Sequence, residues 1–460
     1  MRRVWFASVL ALVGVWSLLV GTAGSAEKSV AEEILDILRA NDQITEQQYE
    51  TLLVKARSEK ESLPAVAAEA KPEDFRVYWK KGLRFDSADK RFKLQIGGRI
   101  MNDWAWVSED NDIETTIGRQ ANNTEFRRAR LFVAGTIYEN VKFKAQYDFA
   151  GGDADFKDVY VELVKLPWVG NLKVGHFKEP FSLEELTSSK YMTFMERSLP
   201  NVFAPSRNTG IMLHNHGLDQ RMTWAVGAFR DSGSFGDSGD DEGSDDTYNV
   251  TARLTGLPWY EDEGAKLLHV GLSASHRFME DDSLRFRQRP EAHLLDYFVD
   301  TREPLGASAP AAFVDIISDG VDILNPELAL LYGPFSLQGE YTRTFVEGSS
   351  FDFDSFYVQA SYFLTGEHRN YKMSSGAFSR MSPRRNFDGK GGPGAWEVAV
   401  RYARLDLDDS TVTGGTLDDF TVGLNWHLNP NVRMMLNYVR ANLDGVGDSN
   451  IFQSRFQIDF

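Results

Sequence analysis

The chain has 460 residues, no cysteine and a formal charge of −17, so it has neither a disulfide framework nor a thiolate metal site or nucleophile, and its charge argues against nucleic acid as a partner. Aromatic residues make up 12% of a chain that is only 42% hydrophobic, and beyond residue 26 no apolar run reaches the roughly 18 residues of a membrane helix. That combination suits strands whose alternate residues face water.

Arg2 and Arg3 precede an apolar stretch from Val4 to Val20, and Gly24-Ser25-Ala26 supply small residues before Glu27. This is the layout of an export signal with residues 1–26 removed; the apolar stretch is long for one, which leaves an uncleaved anchor as a second reading. Cleavage removes two Arg and no acidic residue, taking the charge from −17 to −19. Residues 27–74 read as a periplasmic helical or coiled-coil arm with a linker. Ile34, Leu35, Leu38, Ile44, Leu52, Leu53 and Ala56 recur at helical spacing, Thr45 with Gln48 forms a capping box, and Leu63 to Pro72 is rich in Ala, Glu and Pro. Two roles are open for this arm: a self-packing extension, or a partner-binding or trimerising element.

From residue 75 the chain alternates. A short inner hairpin is expected at Leu83-Phe85 through Ser87-Ala88-Asp89. In Phe92 to Val107, Phe92, Leu94, Ile96 and Ile100 oppose Lys93, Gln95, Arg99 and Asp103; in Glu125 to Tyr138, Ala129, Leu131, Val133 and Ile137 oppose Arg128, Arg130 and Thr136. Further strands are expected near 141–149, 156–165, 170–178, 208–215, 221–230, 247–256, 266–278, 323–332, 335–346, 353–365, 395–406, 417–428 and 431–442. The last is Ile451 to Phe460, where Phe452, Phe456, Ile458 and Phe460 oppose Gln453, Arg455, Gln457 and Asp459. The count is sixteen, an even number, as an antiparallel transmembrane β-barrel requires. With both termini on one side, the connections after odd strands should be long and those after even strands short. Residues 108–123, 179–207, 231–246 and 279–322 are long, Glu139-Asn140, Gly333-Pro334 and Asn429-Pro430 are tight, and 366–394 breaks the rule.

The segments QIGGR (Gln95 to Arg99), EFRRARLFVAGTIY (Glu125 to Tyr138), VGHFKEPFSLEELTSSKYMTFMERSLP (Val174 to Pro200), YGPFSLQGEY (Tyr332 to Tyr341), YVQASYFLTGEHRNYK (Tyr357 to Lys372) and VGLNWHLNPNVRMMLNYV (Val422 to Val439) resemble the phosphate-selective porin O and P family, in order along nearly all of residues 80–460. The resemblance also covers the long 366–394 segment. It implies an all-β fold, a homotrimer of 16-stranded barrels in the outer membrane of a Gram-negative-type bacterium, each with its own pore for small anionic solutes. A terminal Phe460 after an alternating strand is similar to the signal read by outer-membrane assembly machinery.

The connection from Lys178 to Arg207 follows the fifth strand. Phe181, Leu183, Leu186, Tyr191, Phe194 and Met195 make it too apolar for a solvated loop, so it is expected to fold inward as the constriction; packing over a trimer interface is the other reading. Its charged residues are Lys178, Glu184, Glu185, Lys190 and Arg197. Arg99, Arg128 and Arg130 fall on the lumen parity, where guanidinium groups suit oxyanions. Arg127 is on the other parity, at lipid headgroups or twisted inward. By resemblance, Arg99, Arg127 and Arg128 belong to the anion pathway. Where strongly phosphate-binding members carry a lysine after the FGLE-like segment, this chain has Glu185 beside Glu184, which puts phosphate specificity in doubt and leaves a general, weakly selective porin as an alternative. Ion pairing of each lumen arginine with Asp103, Asp148, Asp158 or Glu162 is the structural alternative.

No cofactor, metal site or catalytic group is expected. His214 and His216 share one face but lack a third ligand nearby in sequence, and the acidic stretch Asp237 to Asp246 lacks the ordered spacing of a calcium loop. The competing class is a plugged barrel acting as a structural or adhesive outer-membrane protein.

Overall fold

The computed structural model describes residues 35–36, 38–41, 45–62, 74–236, 248–303, 315–348 and 351–460. The expected signal at 1–26, the linker at 63–72 and the acidic stretch at 237–246 lie outside the described residues. The chain divides into two compact units, 1–71 and 72–460. In the first, the helix Glu46–Ser62 starts from the expected box: the Thr45 N–H donates to Gln48 Oε1 at 2.9 Å, and the Gln48 N–H to Thr45 Oγ1 at 3.3 Å. Tyr49 Oη donates to Asp36 Oδ1 at 2.6 Å, tying this helix to the helical residues before it. Among the described residues no helix is long and apolar enough to cross a membrane.

The second unit is a closed antiparallel barrel of sixteen strands: β1 (Lys93–Glu109), β2 (Asn123–Ile137), β3 (Val141–Asp148), β4 (Asp155–Leu166), β5 (Gly170–Lys178), β6 (Arg207–Gly217), β7 (Met222–Arg230), β8 (Asn249–Glu261), β9 (Lys266–Leu284), β10 (Ile316–Tyr332), β11 (Phe335–Val346), β12 (Asp352–Phe363), β13 (Ala395–Asp409), β14 (Val412–Asn429), β15 (Val432–Leu443) and β16 (Gly447–Asp459). Each pairs with its neighbour in sequence, and β16 returns to β1, from Ser449 opposite Glu109 to Asp459 opposite Arg99. Side-chain parity divides the two faces as the alternation requires. Ile100, Trp104, Trp106, Val398, Val400, Tyr402, Phe452, Phe456 and Ile458 point outward at 38–52% exposure, whereas Arg99, Asp103, Arg401, Gln453 and Arg455 point inward at 7% or less.

Several strands run past the ends that the alternation marks. Along β13 the outward row changes from Val398, Val400 and Tyr402 to Arg404 and Asp406, while the inward row changes from Arg401 to Leu405 and Leu407. The hydrophobic pattern inverts its phase without any change of strand parity. The inward apolar residues pack with Val321, Ile323 and Leu417 against Phe286, Leu295, Phe298 and Val299 of the β9–β10 connection, so above the apolar wall the greasy face is the inner one. A reading that follows one phase stops there. The longer β13 and β14 leave a tight connection at 410–411, and 347–351 and 444–446 are also short, so the alternation of long and short connections fails in the last three hairpins.

The hairpin expected inside the barrel extends its wall instead. Phe75–Trp79 pairs with Leu83–Ser87, which pairs with Lys93 to Ile96 on the edge of β1 that carries β16 from Arg99 onward. Trp79, Leu83 and Ile96 fall in one row and Val77, Phe85 and Leu94 in the next, which continues the apolar outer face. The segment 364–394 enters the barrel. Tyr371 Oη lies 2.7 Å from His269 Nδ1, Arg369 Nη1 donates to Gln338 Oε1 at 2.9 Å, and the Gly376 carbonyl accepts from Arg253 Nη2 at 2.8 Å.

Candidate functional site

The connection 179–206 lies against the inner faces of distant strands, held by charged side chains that alternate inward. Its α-helical turn, Leu183–Leu186, starts at Ser182, whose hydroxyl accepts the Glu185 N–H at 3.1 Å. Glu340 of β11 accepts the Leu183 and Glu184 N–H groups at 3.1 and 2.8 Å and is itself held by Tyr357 Oη at 2.7 Å. Arg401 of β13, fully buried, bridges Glu184 at 3.2 Å, the Glu196 carbonyl at 3.1 Å and Glu291 of the β9–β10 connection, whose Oε2 accepts its Nε–H at 2.8 Å. Arg455 of β16 takes Asp103 at 2.6 Å, Glu196 at 2.7 Å and the Met195 carbonyl. Arg433 donates to the Met192 carbonyl at 2.6 Å. Phe181, Leu183 and Met195 have no exposure, so the apolar residues of this connection are packed as their composition demands.

Beside this connection is a cavity of about 160 Å³, lined by seven cations, Arg99, Arg128, Arg130, Lys144, Lys178, Arg197 and Arg207, and by one carboxylate, Asp158. Five of the cations are paired. Arg130 holds Asp148 at 2.6 Å; Lys144 and Arg207 share Asp158 at 2.5 and 2.8 Å; Lys178 and Arg197 share Glu185 at 2.8 and 3.0 Å. Among the described residues, Arg99 donates only to Ser189 Oγ at 2.6 Å and Ser188 Oγ at 3.5 Å, and Arg128 only to the Met101 sulfur at 3.8 Å, with its Nε unpartnered. The two guanidinium groups without a carboxylate are therefore the groups here with donors to spare for an oxyanion.

Glu185 sits between two cavity cations and forms no ion pair with Arg99, Arg128 or Arg130. Burial raises its carboxyl, but Arg197 and Lys178 outweigh burial and hold it below its ordinary range. Glu184 faces away, toward Arg401 and the Ser198 hydroxyl, which donates to it at 2.5 Å. Arg127 points inward, because a bulge puts Met101 opposite Arg128 but Asn102 opposite Phe126; Arg127 then takes Glu196 through two hydrogen bonds of 3.0 Å. It is a strut for the connection and lies outside the cavity lining. Lys190 lies on the other side, near Asp459 at 3.4 Å and Arg380; burial lowers its ammonium from 10.5 to about 8, with Asp459 offsetting part of that.

Of the expected ion-pair alternatives, Arg130 with Asp148 forms, while Asp103 belongs to Arg455. Lys144, Asp158 and Arg207 were not picked out from sequence as site residues, although Lys144 carried the signal of inward parity. Glu340, Arg401, Arg433 and Arg455 were missed too, and their only signal was a charged residue on the inward parity of a late strand. His214 is 2.7 Å from Glu162, a carboxylate distant in sequence. The grouping of possible ligand atoms among the described residues, His276, Asp322 and Glu347, is on the outer face. Phe460 closes the ladder: its carbonyl accepts the Gly98 N–H at 2.8 Å and its N–H donates to the Gly98 carbonyl at 3.1 Å. The paired glycines make this approach feasible, since a Cβ on Gly97 would lie 2.4 Å from the Phe460 oxygen.

Residues 94–460 match the family model described as phosphate-selective porin O and P. The chain is 27% identical to Porin O of Pseudomonas aeruginosa over 404 residues, covering 82% of this chain and 89% of that one. Among solved structures it superposes on a loop-deletion form of OmpT, an outer membrane protein of Vibrio cholerae, with TM-score 0.51 at 11% identity over 80% of this chain and all of that one. A trimer form of OmpT gives TM-score 0.50 at 10% identity over 80% of this chain and 99% of that one.

Proposed function

We propose, from the premise that this chain belongs to the phosphate-selective porin O and P family, that its barrel is an outer-membrane channel for small hydrophilic anions with a modest preference for phosphate-like oxyanions. The observation that carries this is the cavity of seven cations in which Arg99 and Arg128 have no carboxylate partner. A dehydrated guanidinium gains from any oxyanion that presents two oxygens to its fork. The preference is modest because Asp148, Asp158 and Glu185 already hold the other five cations. In this reading the connection 179–206 is the constriction. Lys178 and Arg197 line the path with Glu185 as their shared, buried counter-charge, Glu184 anchors the connection, and Lys190 lies beyond it.

The family and the trimeric barrel neighbour support a homotrimer. The signal at 1–26, the periplasmic placement of the arm and the reading of Phe460 by the assembly machinery belong to the same proposal. Single-channel recording in planar bilayers under asymmetric KCl tests it. Regular open steps with a reversal potential on the anion side are expected. A barrel plugged for an adhesive or structural role would give no regular steps.

A further inference from the structure

A second charged cavity lies on the far side of the connection 179–206 and shares no lining residue with the seven-cation cavity. It is a junction of three pieces of chain. The connection contributes Lys190 and Thr193, the inserted segment 364–394 contributes Arg369 and Arg380, and the wall contributes Glu397 of β13, His427 of β14, Arg433 of β15 and Asp459 of β16. Four cations therefore meet two carboxylates, before His427 is counted. Asp459 is taken twice, by Arg380 and by Lys190 at 3.4 Å. Glu397 accepts from Asn425 Nδ2 at 2.9 Å and lies 3.6 Å from His427 Nε2, with its Oε1 unpartnered. Glu367 lies outside the lining, where it accepts the Arg384 N–H at 2.9 Å and the Thr365 hydroxyl.

Two guanidinium groups are left without a carboxylate. Arg433 donates to the Met192 carbonyl at 2.6 Å and to Gln457 Oε1 at 3.0 Å; Arg369 donates to Gln338 Oε1 at 2.9 Å and lies 3.5 Å from the centroid of the Phe378 ring. Both are buried. Each of the three pieces also brings one buried donor without a partner: Thr193 Oγ1 from the connection, Arg380 Nε from the inserted segment and Arg433 Nε from the wall. Water could satisfy those donors, but only an anion also offsets the excess positive charge that burial makes costly. The volume then decides which anion. At about 30 Å³ the cavity has room for roughly two water-sized particles, so a single-atom anion enters and a phosphate with its shell of oxygens does not. We propose that this junction is a halide site, in which one chloride ion accepts from Thr193, Arg380 and Arg433 and clips the far side of the connection to β15 and to the inserted segment.

The test follows thermal unfolding of the full-length protein in detergent, in sodium gluconate with chloride substituted at constant ionic strength. The unfolding temperature of wild type should rise along a saturating curve, as it does when a ligand binds the folded state alone, and bromide should act like chloride. Arg433→Gln should need at least tenfold more chloride for the same rise. Stabilisation by inorganic phosphate, which acts through the seven-cation cavity, should persist in that variant; its absence from both proteins would count against the anion-channel reading and leave the halide site standing. A chloride curve unchanged in Arg433→Gln places the ion elsewhere and overturns the proposal, as does a rise in wild type that never saturates. If Arg433→Gln fails to fold, wild-type crystals grown in bromide decide. An anomalous peak between Thr193, Arg380 and Arg433 is expected, and an ordered water there without anomalous signal overturns the proposal.

Discussion

Replacing Glu185 by Gln removes the carboxylate shared by Lys178 and Arg197 at 2.8 and 3.0 Å and raises the net charge around the cavity by one. An anion held roughly 7 Å away, about the span of such a cavity, gains about 0.6 kcal/mol if water screens fully and about 2.4 kcal/mol at an effective dielectric near 20. The affinity for an oxyanion should therefore rise between about threefold and fiftyfold. Glu185→Lys should go further in the same direction. The assay is block of chloride current by inorganic phosphate, read as a half-blocking concentration at low ionic strength, where screening is least. Uniform conductance steps in the variant confirm that the connection has kept its place. If phosphate block is unchanged or weaker in Glu185→Gln while the steps stay uniform, the carboxylate lies outside the field of the anion path and the reasoning fails.

Arg128→Glu should move the reversal potential toward cations, because it inverts a charge that no carboxylate hydrogen-bonds; an unmoved potential would remove Arg128 from the pathway. With the Lys190 ammonium lowered to about 8, anion preference should decline as pH rises from about 7 to 9, the charged form being lost through that range, and Lys190→Arg should flatten the decline in a reversal-potential titration. Arg401→Ala leaves Glu184 and Glu291 buried without their shared cation, which costs about 3–5 kcal/mol; larger and noisier conductance steps are expected as the connection loosens, together with a lower unfolding temperature. Deleting Phe460 removes both hydrogen bonds to Gly98, so the yield of folded, heat-modifiable barrel should fall severalfold, as read on unheated gels.

The strands were legible because a wall with lipid on one side and polar groups on the other imposes a period of two, and parity alone placed Arg99, Arg128 and Arg130 inward. Four features escaped for separate physical reasons. The ends of β13 and β14 were lost because the phase of the pattern inverts where Leu405 and Leu407 begin to pack on a loop inside the barrel. Arg127 was ambiguous because its orientation depends on one bulge, and a bulge leaves no mark on composition. The struts of the connection 179–206 were hidden because Arg401, Arg433 and Arg455 each look like any lumen arginine until the connection that they hold is in place. Among the cavity residues, Lys144 and Arg207 needed depth along the barrel as well as parity, and depth is fixed only by the register of neighbouring strands.

Those struts also order events in time. Arg401, Arg433 and Arg455 follow their partners in the connection by 217, 241 and 260 residues, whereas Lys178 precedes Glu185 by only 7 and Arg127 precedes Glu196 by 69. Contacts at such separations form late, after the chain between them has been organised. Until the strands that bear those arginines are in place, the connection can rest on its early neighbours but has nothing to hold its far side, so an unfinished wall would enclose a wide, unselective opening. Sieving and closure thus mature together, and leakage of bulky solutes would be the signature of barrels stalled one step short of joining their first and last strands.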